Sequence, residues 1–151
     1  MTNPLVFVLN GPNLNLLGTR EPEIYGTRTL ADVERMCADE AARLGLAVEC
    51  RQSNHESALV DWVQEADGRT IGVVLNAGAY ARTSVALRDA VSAVSVPVIE
   101  VHIGNIFNKE PIRPPSVLSP VARGLISGLG VDVYTLGLQA LRRLAANPDG
   151  T

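Results

Sequence analysis

Lysine is almost missing from this sequence: Lys109 stands alone among 13 basic residues, and the rest are arginine. Arginine suits carboxylate recognition through its planar fork, and a compositional bias explains the same excess equally well. Cysteine is scarce too, with Cys37 expected in a helix and Cys50 in a strand. Neither has CxxC or metal-ligand spacing, which reads as two small packing residues in a reducing compartment. Aromatic residues make up only 4% of the chain, leaving little to stack on a flavin ring. A net charge of -3 supplies no basic field for nucleic acid. No apolar run approaches the roughly 18 residues of a membrane span. The first strand begins at once, without a basic-then-apolar leader, so the cytoplasm is the expected location. Neither GxGxxG nor a GKS/T phosphate loop occurs, and Pro12 removes an N–H where a phosphate nest needs one. A cofactor-free site is therefore expected.

What remains is ordinary globular composition, 46% hydrophobic and 19% charged over 151 residues, which fits one domain spanning 1–151. One pattern recurs along it. Leu5–Leu9 is a continuous apolar run of the kind buried on both faces of a sheet, and it stops at Asn10-Gly11-Pro12-Asn13. A loop rich in Gly, Pro and charge runs on to Arg28. Thr29 and Asp32 then read as a capping box for a helix to about Leu44, closed by Gly45. A strand follows at about 47–52. Ser53 and Glu56 read as a second capping box, with Leu59, Val60, Trp62 and Val63 available for burial on the helix behind it. Strands are expected at Ile71–Leu75, Pro97–His102 and, more weakly, Gly124–Gly128. Helices are expected from Val85 to about Val94, capped by Thr83 or Ser84, and from about Val133 to Ala145.

Strand-then-helix order implies parallel strands joined by right-handed crossovers. The expected architecture is α/β and flavodoxin-like, in three layers. Its five-stranded parallel sheet has the order 2-1-3-4-5, with helices on both faces. In such sheets ligands bind beyond the carboxyl ends of the strands, where Asn10, Asn13, Asn76, Glu100, His102 and Asn105 converge. Glu100 and His102 lie two apart on one strand, so their side chains share a face about 6.6 Å apart at the backbone. A carboxylate so placed can orient an imidazole, directly or through water, for acid–base work. A histidine merely satisfied near a strand end fits the same spacing, and both readings stand. His55, inside the second capping box, reads as a solvated structural residue.

The stretches Gly11–Pro22, Ile24-Tyr25-Gly26, Arg51–Asn54, Asn76–Tyr80, Thr83–Ala90 and Glu100-Val101-His102 resemble the signature of type II 3-dehydroquinate dehydratases. Leu118-Ser119-Pro120 and Gly124–Gly130 extend the likeness nearly to the C-terminus. The resemblance implies a homododecamer built as a tetramer of trimers. It also implies metal-free trans elimination of water from 3-dehydroquinate, giving 3-dehydroshikimate through an enolate, in the shikimate pathway or in quinate breakdown. On matching positions, Tyr25 is implied as the base and Arg20 as the cation favouring its ionised form. Asn13 is implied to hold the water that stabilises the enolate, His102 to be the acid and Glu100 its orienter. Asn76 and the N–H groups of Ile103 and Gly104 are implied to hold the carboxylate. Arg113 would contact hydroxyls and help close its loop, and Asp89 would reach in from a neighbouring subunit.

The chain departs from that signature in three places. Arg82 stands where the family generally has a histidine that helps recognise ring hydroxyls. Gly104 replaces a serine but keeps the N–H. Pro111–Val117 is stiffer and less polar than the usual loop. Arg82 is expected to turn aside and pair with a carboxylate, Asp89 being a candidate, or to favour a substrate with an extra acceptor group. Besides the dehydratase, two readings follow: a paralogue running the same elimination on a related cyclic hydroxy-keto acid, and a non-catalytic binding or assembly subunit. Retention of Tyr25, Arg20 and His102 argues against the last, because a pure binder needs no base–acid pair.

Overall fold

The computed structural model describes residues 2–19, 22–108 and 116–149; the side chains of Ile24 and Tyr25 lie outside the described part. The five expected strands form: β1 (Leu5–Asn10), β2 (Ala47–Gln52), β3 (Gly72–Asn76), β4 (Val98–His102) and β5 (Gly124–Ser127). All pair in parallel, in the order β2-β1-β3-β4-β5, which is the expected flavodoxin-like order. The central strands β1, β3 and β4 are buried almost throughout, as continuous Val/Ile/Leu runs require.

The helices are α1 (Pro22–Tyr25), α2 (Leu30–Leu44), α3 (Glu56–Ala66), α4 (Tyr80–Thr83), α5 (Val85–Ala93) and α6 (Asp132–Ala146). Alternation along the strands divides the core into two halves. Val6, Val8, Val74, Ile99 and Val101 face α2 and α6, while Phe7, Leu9, Val73, Leu75 and Val98 face α3 and α5. Three layers result. Among the described residues no helix is long and apolar enough to cross a membrane.

Local signals explain most boundaries. Thr29 and Asp32 form the expected reciprocal capping box, and Gly45 closes α2 in the left-handed conformation at φ 72°. Ser84 caps α5 by accepting from the N–H of Leu87 at 2.9 Å. The second capping box does not form. Ser53 is still tied to the sheet, its N–H bonded to the carbonyl of Asn10, and its hydroxyl accepts from His55 only two residues on. The helix therefore starts at Glu56, with His55 as an uncapped and exposed N-cap. The long first loop holds a 3₁₀ turn at Leu14–Leu16 and the short α1, neither of which the sequence suggested; α4 was likewise unforeseen. Cys37 is buried in α2 and Cys50 partly buried in β2, both as free thiols.

Candidate active site

Strand alternation puts Val98, Glu100 and His102 on the α3/α5 face of β4, with His102 at the carboxyl end of the strand. The contact expected between the last two is direct: His102 Nε2 lies 2.7 Å from a Glu100 carboxylate oxygen. Glu100 is 0% exposed, so its charge must be met from within the protein. Ser119 donates to its other oxygen at 2.5 Å, and the Ser116 hydroxyl donates to the oxygen that faces His102. Ser116 also accepts from the N–H of Leu118 at 3.0 Å, which fixes the direction of its own donation. Burial alone pushes the Glu100 carboxyl upward. Hydrogen bonds from His102, Ser116 and Ser119 outweigh it and hold Glu100 below the ordinary carboxylate range. The result is an anion committed to one side of the imidazole, with Nδ1 left as the other ring nitrogen.

The first loop is pinned over the strand ends by backbone contacts and two amides. The N–H of Gly11 donates to the carbonyl of Asn76 at 2.8 Å. A Cβ on Gly11 would lie 2.5 Å from the Ala77 carbonyl oxygen, so only glycine permits this approach. Asn13 follows at φ 69°, a left-handed conformation that asparagine tolerates better than most residues. Its N–H donates to Asn54 Oδ1 at 2.9 Å, and Gln52 donates to the Gly11 carbonyl and to Asn54. Tyr80 ties α4 to the same point by donating to the Asn54 carbonyl at 2.7 Å.

Asn76 and Asn10 are neighbours in register at the tips of β3 and β1, on the α2/α6 face. Both are buried, and the hydroxyl of Tyr134 on α6 stands between them. The backbone N–H groups of Ile103 and Gly104 leave the end of β4. Among the described residues neither has an acceptor outside the strand ladder. The Gly104 carbonyl accepts from Ser127 at 3.1 Å, which anchors this turn to β5. Asn105 is exposed, and its side chain serves the turn by accepting from the N–H of Phe107.

The described residues thus bring Asn13, Asn76, Glu100, His102, Ile103 and Gly104 to one end of the sheet. Arg20 and Arg113 lie outside the described residues, as does the side chain of Tyr25, whose backbone ends α1. Arg82 lies half-buried on α4, and Asp89 is exposed on α5. The ion pair expected between them is absent, because Arg82 forms no ion pair with another described residue. Among the described residues no cluster of three or more His, Cys, Asp or Glu side chains could hold a metal ion.

Sequence reasoning gave no role to Ser116, Ser119, Asn54 or Tyr134. Ser119 and Asn54 lie in signature stretches, which was their only signal. Tyr134 carries a hydroxyl within the apolar stripe Val133, Tyr134, Gly137, Leu138 and Leu141, and a polar group buried on such a stripe demands a partner.

Comparison with known proteins identifies the family. The family model described as dehydroquinase class II matches residues 4–142. A 3-dehydroquinate dehydratase of Azorhizobium caulinodans is 62% identical over 136 residues, covering 90% of this chain and 92% of that protein. The 3-dehydroquinate dehydratase 2 of Ralstonia nicotianae is 58% identical over 141 residues, covering 90% and 92%. Among solved structures, the type II dehydroquinase from Propionibacterium acnes superposes with a TM-score of 0.89 at 42% identity, covering 94% of this chain and 98% of that one. With a family model spanning most of its length, the chain belongs to the class II dehydroquinase family.

Proposed function

We propose that this protein is a hydro-lyase that removes water from 3-dehydroquinate by trans elimination, giving 3-dehydroshikimate through an enolate. The observation that carries this reading is the buried Glu100 carboxylate, held by Ser116 and Ser119 and set against His102 at 2.7 Å. A carboxylate fixed so firmly orients the His102 ring, so that one nitrogen faces Glu100 and the other is free to serve the reaction. The relatives described above, named as 3-dehydroquinate dehydratases, support the choice of substrate.

In this scheme Tyr25, ionised beside Arg20, takes the proton alpha to the ketone. The C–H bond breaks and its electron pair forms the enolate, which a water held by Asn13 stabilises. The enolate then expels the beta hydroxyl as His102 protonates it, so water leaves and a conjugated enone remains. An unassisted tyrosine titrates near pH ~10, which gives the arginine a defined task. Asn76 and the N–H groups of Ile103 and Gly104 hold the substrate carboxylate, and Arg113 and Arg82 contact its hydroxyls. No step calls for a metal or an organic cofactor.

The same reading places the working unit in a homododecamer, a tetramer of trimers. Asp89 supports a shared site: it is exposed on α5, where it can serve a neighbouring subunit. A single domain over 1–151 fits the one sheet, and residence in the cytoplasm fits the two free thiols. Arg82 favours one variant of the scheme, in which the same elimination acts on a related cyclic hydroxy-keto acid with an additional acceptor. Side-by-side assay of 3-dehydroquinate and such analogues tests both, read by the ultraviolet absorbance of the enone after treatment with a chelator. Conversion of 3-dehydroquinate is expected; conversion of an analogue alone would favour the variant, and of neither would refute the scheme.

A further inference from the structure

Tyr134 is fully buried on α6, yet its hydroxyl reaches the tips of two strands. Close packing brings it there. A Cβ on Gly137 would lie 3.0 Å from a methyl of Val74, so the missing side chain lets α6 lie close on β3, with Tyr134 about one turn earlier. The hydrogen bonds around it have a definite sense. Asn76 Nδ2 donates to the Tyr134 oxygen at 2.9 Å, and Tyr134 donates to Asn10 Oδ1 at 2.5 Å. At the other end of the Asn76 amide, Oδ1 accepts from the N–H of Gly78 at 3.2 Å. Gly78 can only donate, so flipping the amide would set two donors against each other and deprive Asn10 of its partner. Asn76 is therefore held in one orientation, with one Nδ2 hydrogen given to Tyr134 and the second without an acceptor among the described residues.

We propose that Tyr134 is a positioning residue for anion binding: its hydroxyl, braced by Asn10, aims the remaining Nδ2 hydrogen of Asn76 at the carboxylate of the substrate. This rests on the assignment of Asn76 to that carboxylate made above. The hydroxyl does not touch the reacting atoms, so its influence belongs in substrate binding rather than in the chemical step. Burial keeps the phenol protonated, above its ordinary range, against the opposing effect of the Asn76 hydrogen bond.

The test is a double-mutant cycle of Tyr134→Phe and Asn76→Ala with 3-dehydroquinate. Tyr134→Phe should raise KM about tenfold while kcat falls less than about threefold, the pattern of lost ground-state binding. In the Asn76→Ala background the same change should raise KM no further, because the group through which Tyr134 acts is gone. Additive effects, or an unchanged KM in Tyr134→Phe, would overturn the proposal. If Tyr134→Phe fails to fold, the wild-type protein still decides by NMR. The Asn76 side-chain amide, assigned by its loss in Asn76→Asp, should show one proton protected from exchange with solvent by its bond to Tyr134, and 3-dehydroquinate should shift the other. Two amide protons that exchange equally fast with solvent would refute the positioning role. A wild-type protein that neither binds nor converts 3-dehydroquinate would defeat the functional reading and the carboxylate with it, while the amide pair would still show whether Tyr134 fixes Asn76.

Discussion

Replacing Glu100 by Gln removes one charge and almost no volume, which isolates the electrostatic part of the Glu100–His102 contact. The buried carboxylate takes donors on both oxygens: His102 and Ser116 on one, Ser119 on the other. A glutamine keeps its carbonyl toward His102 and Ser116 and turns its amide to Ser119, whose hydroxyl can rotate to accept. Packing and hydrogen bonding survive, but His102 loses its anionic partner at 2.7 Å. Hydrogen bonds to charged groups are worth about 1.5–3 kcal/mol and a broken buried ion pair about 3–5 kcal/mol, so a loss of about 2–4 kcal/mol is expected. If His102 delivers its proton in the rate-limiting step, kcat should fall by roughly 30- to 900-fold. Steady-state kinetics on the enone signal measures this, with circular dichroism confirming the fold. A kcat within about threefold of wild type would show that the carboxylate does not assist the acid.

Other consequences are as direct. Glu100 titrates below its unfolded range, so the stability it supplies is complete above that range and is lost as pH falls through the depressed value. Glu100→Gln takes up no such proton, and its melting temperature should fall less steeply on acidification than that of the wild type; parallel curves would contradict this. Gly11→Ala drives a Cβ to 2.5 Å from the Ala77 carbonyl oxygen and should cost about 1–3 kcal/mol, seen as a melting temperature lower by several degrees. An unshifted melt would mean that the first loop is not seated on β3 as described. Arg82→His restores an acceptor for a substrate hydroxyl, so KM for 3-dehydroquinate should drop with little change in kcat. A changed kcat with an unchanged KM would place residue 82 in the chemical step instead.

The sequence made the sheet legible because the largely apolar stretches at β1, β3 and β4 end abruptly at polar residues, and the bounds of β1 to β5 fall within about one residue of the expected strands. Reciprocal side-chain signals were reliable where the chain had already left the sheet, as at Thr29 and Asp32. The same spacing misled at Ser53, whose backbone is still paired with β1, so its hydroxyl could not serve the next helix. The short α4 was invisible, since four residues do not establish a helical period. In the site, Glu100 and His102 were legible because residues two apart on one strand share a face. Ser116 and Ser119, sixteen and nineteen residues from Glu100, join it only through the fold. Tyr134 is 58 residues from Asn76 and 124 from Asn10, and no local pattern encodes such a meeting. Arg20, Tyr25 and Arg113 were named through resemblance alone, because their roles belong to the chemistry of elimination rather than to a local pattern.

That chemistry is open to one direct measurement: the rate of ultraviolet enone formation from 3-dehydroquinate by the wild type and by Tyr25→Phe, alongside the affinity of each for the substrate. The substitution deletes one ionisable oxygen and little volume. The account predicts metal-independent turnover by the wild type, with affinity retained and the rate cut by well over tenfold in Tyr25→Phe, more than about 1.4 kcal/mol of barrier. A Tyr25→Phe variant that keeps more than about a tenth of the wild-type rate, or a wild type that forms no enone, would contradict it.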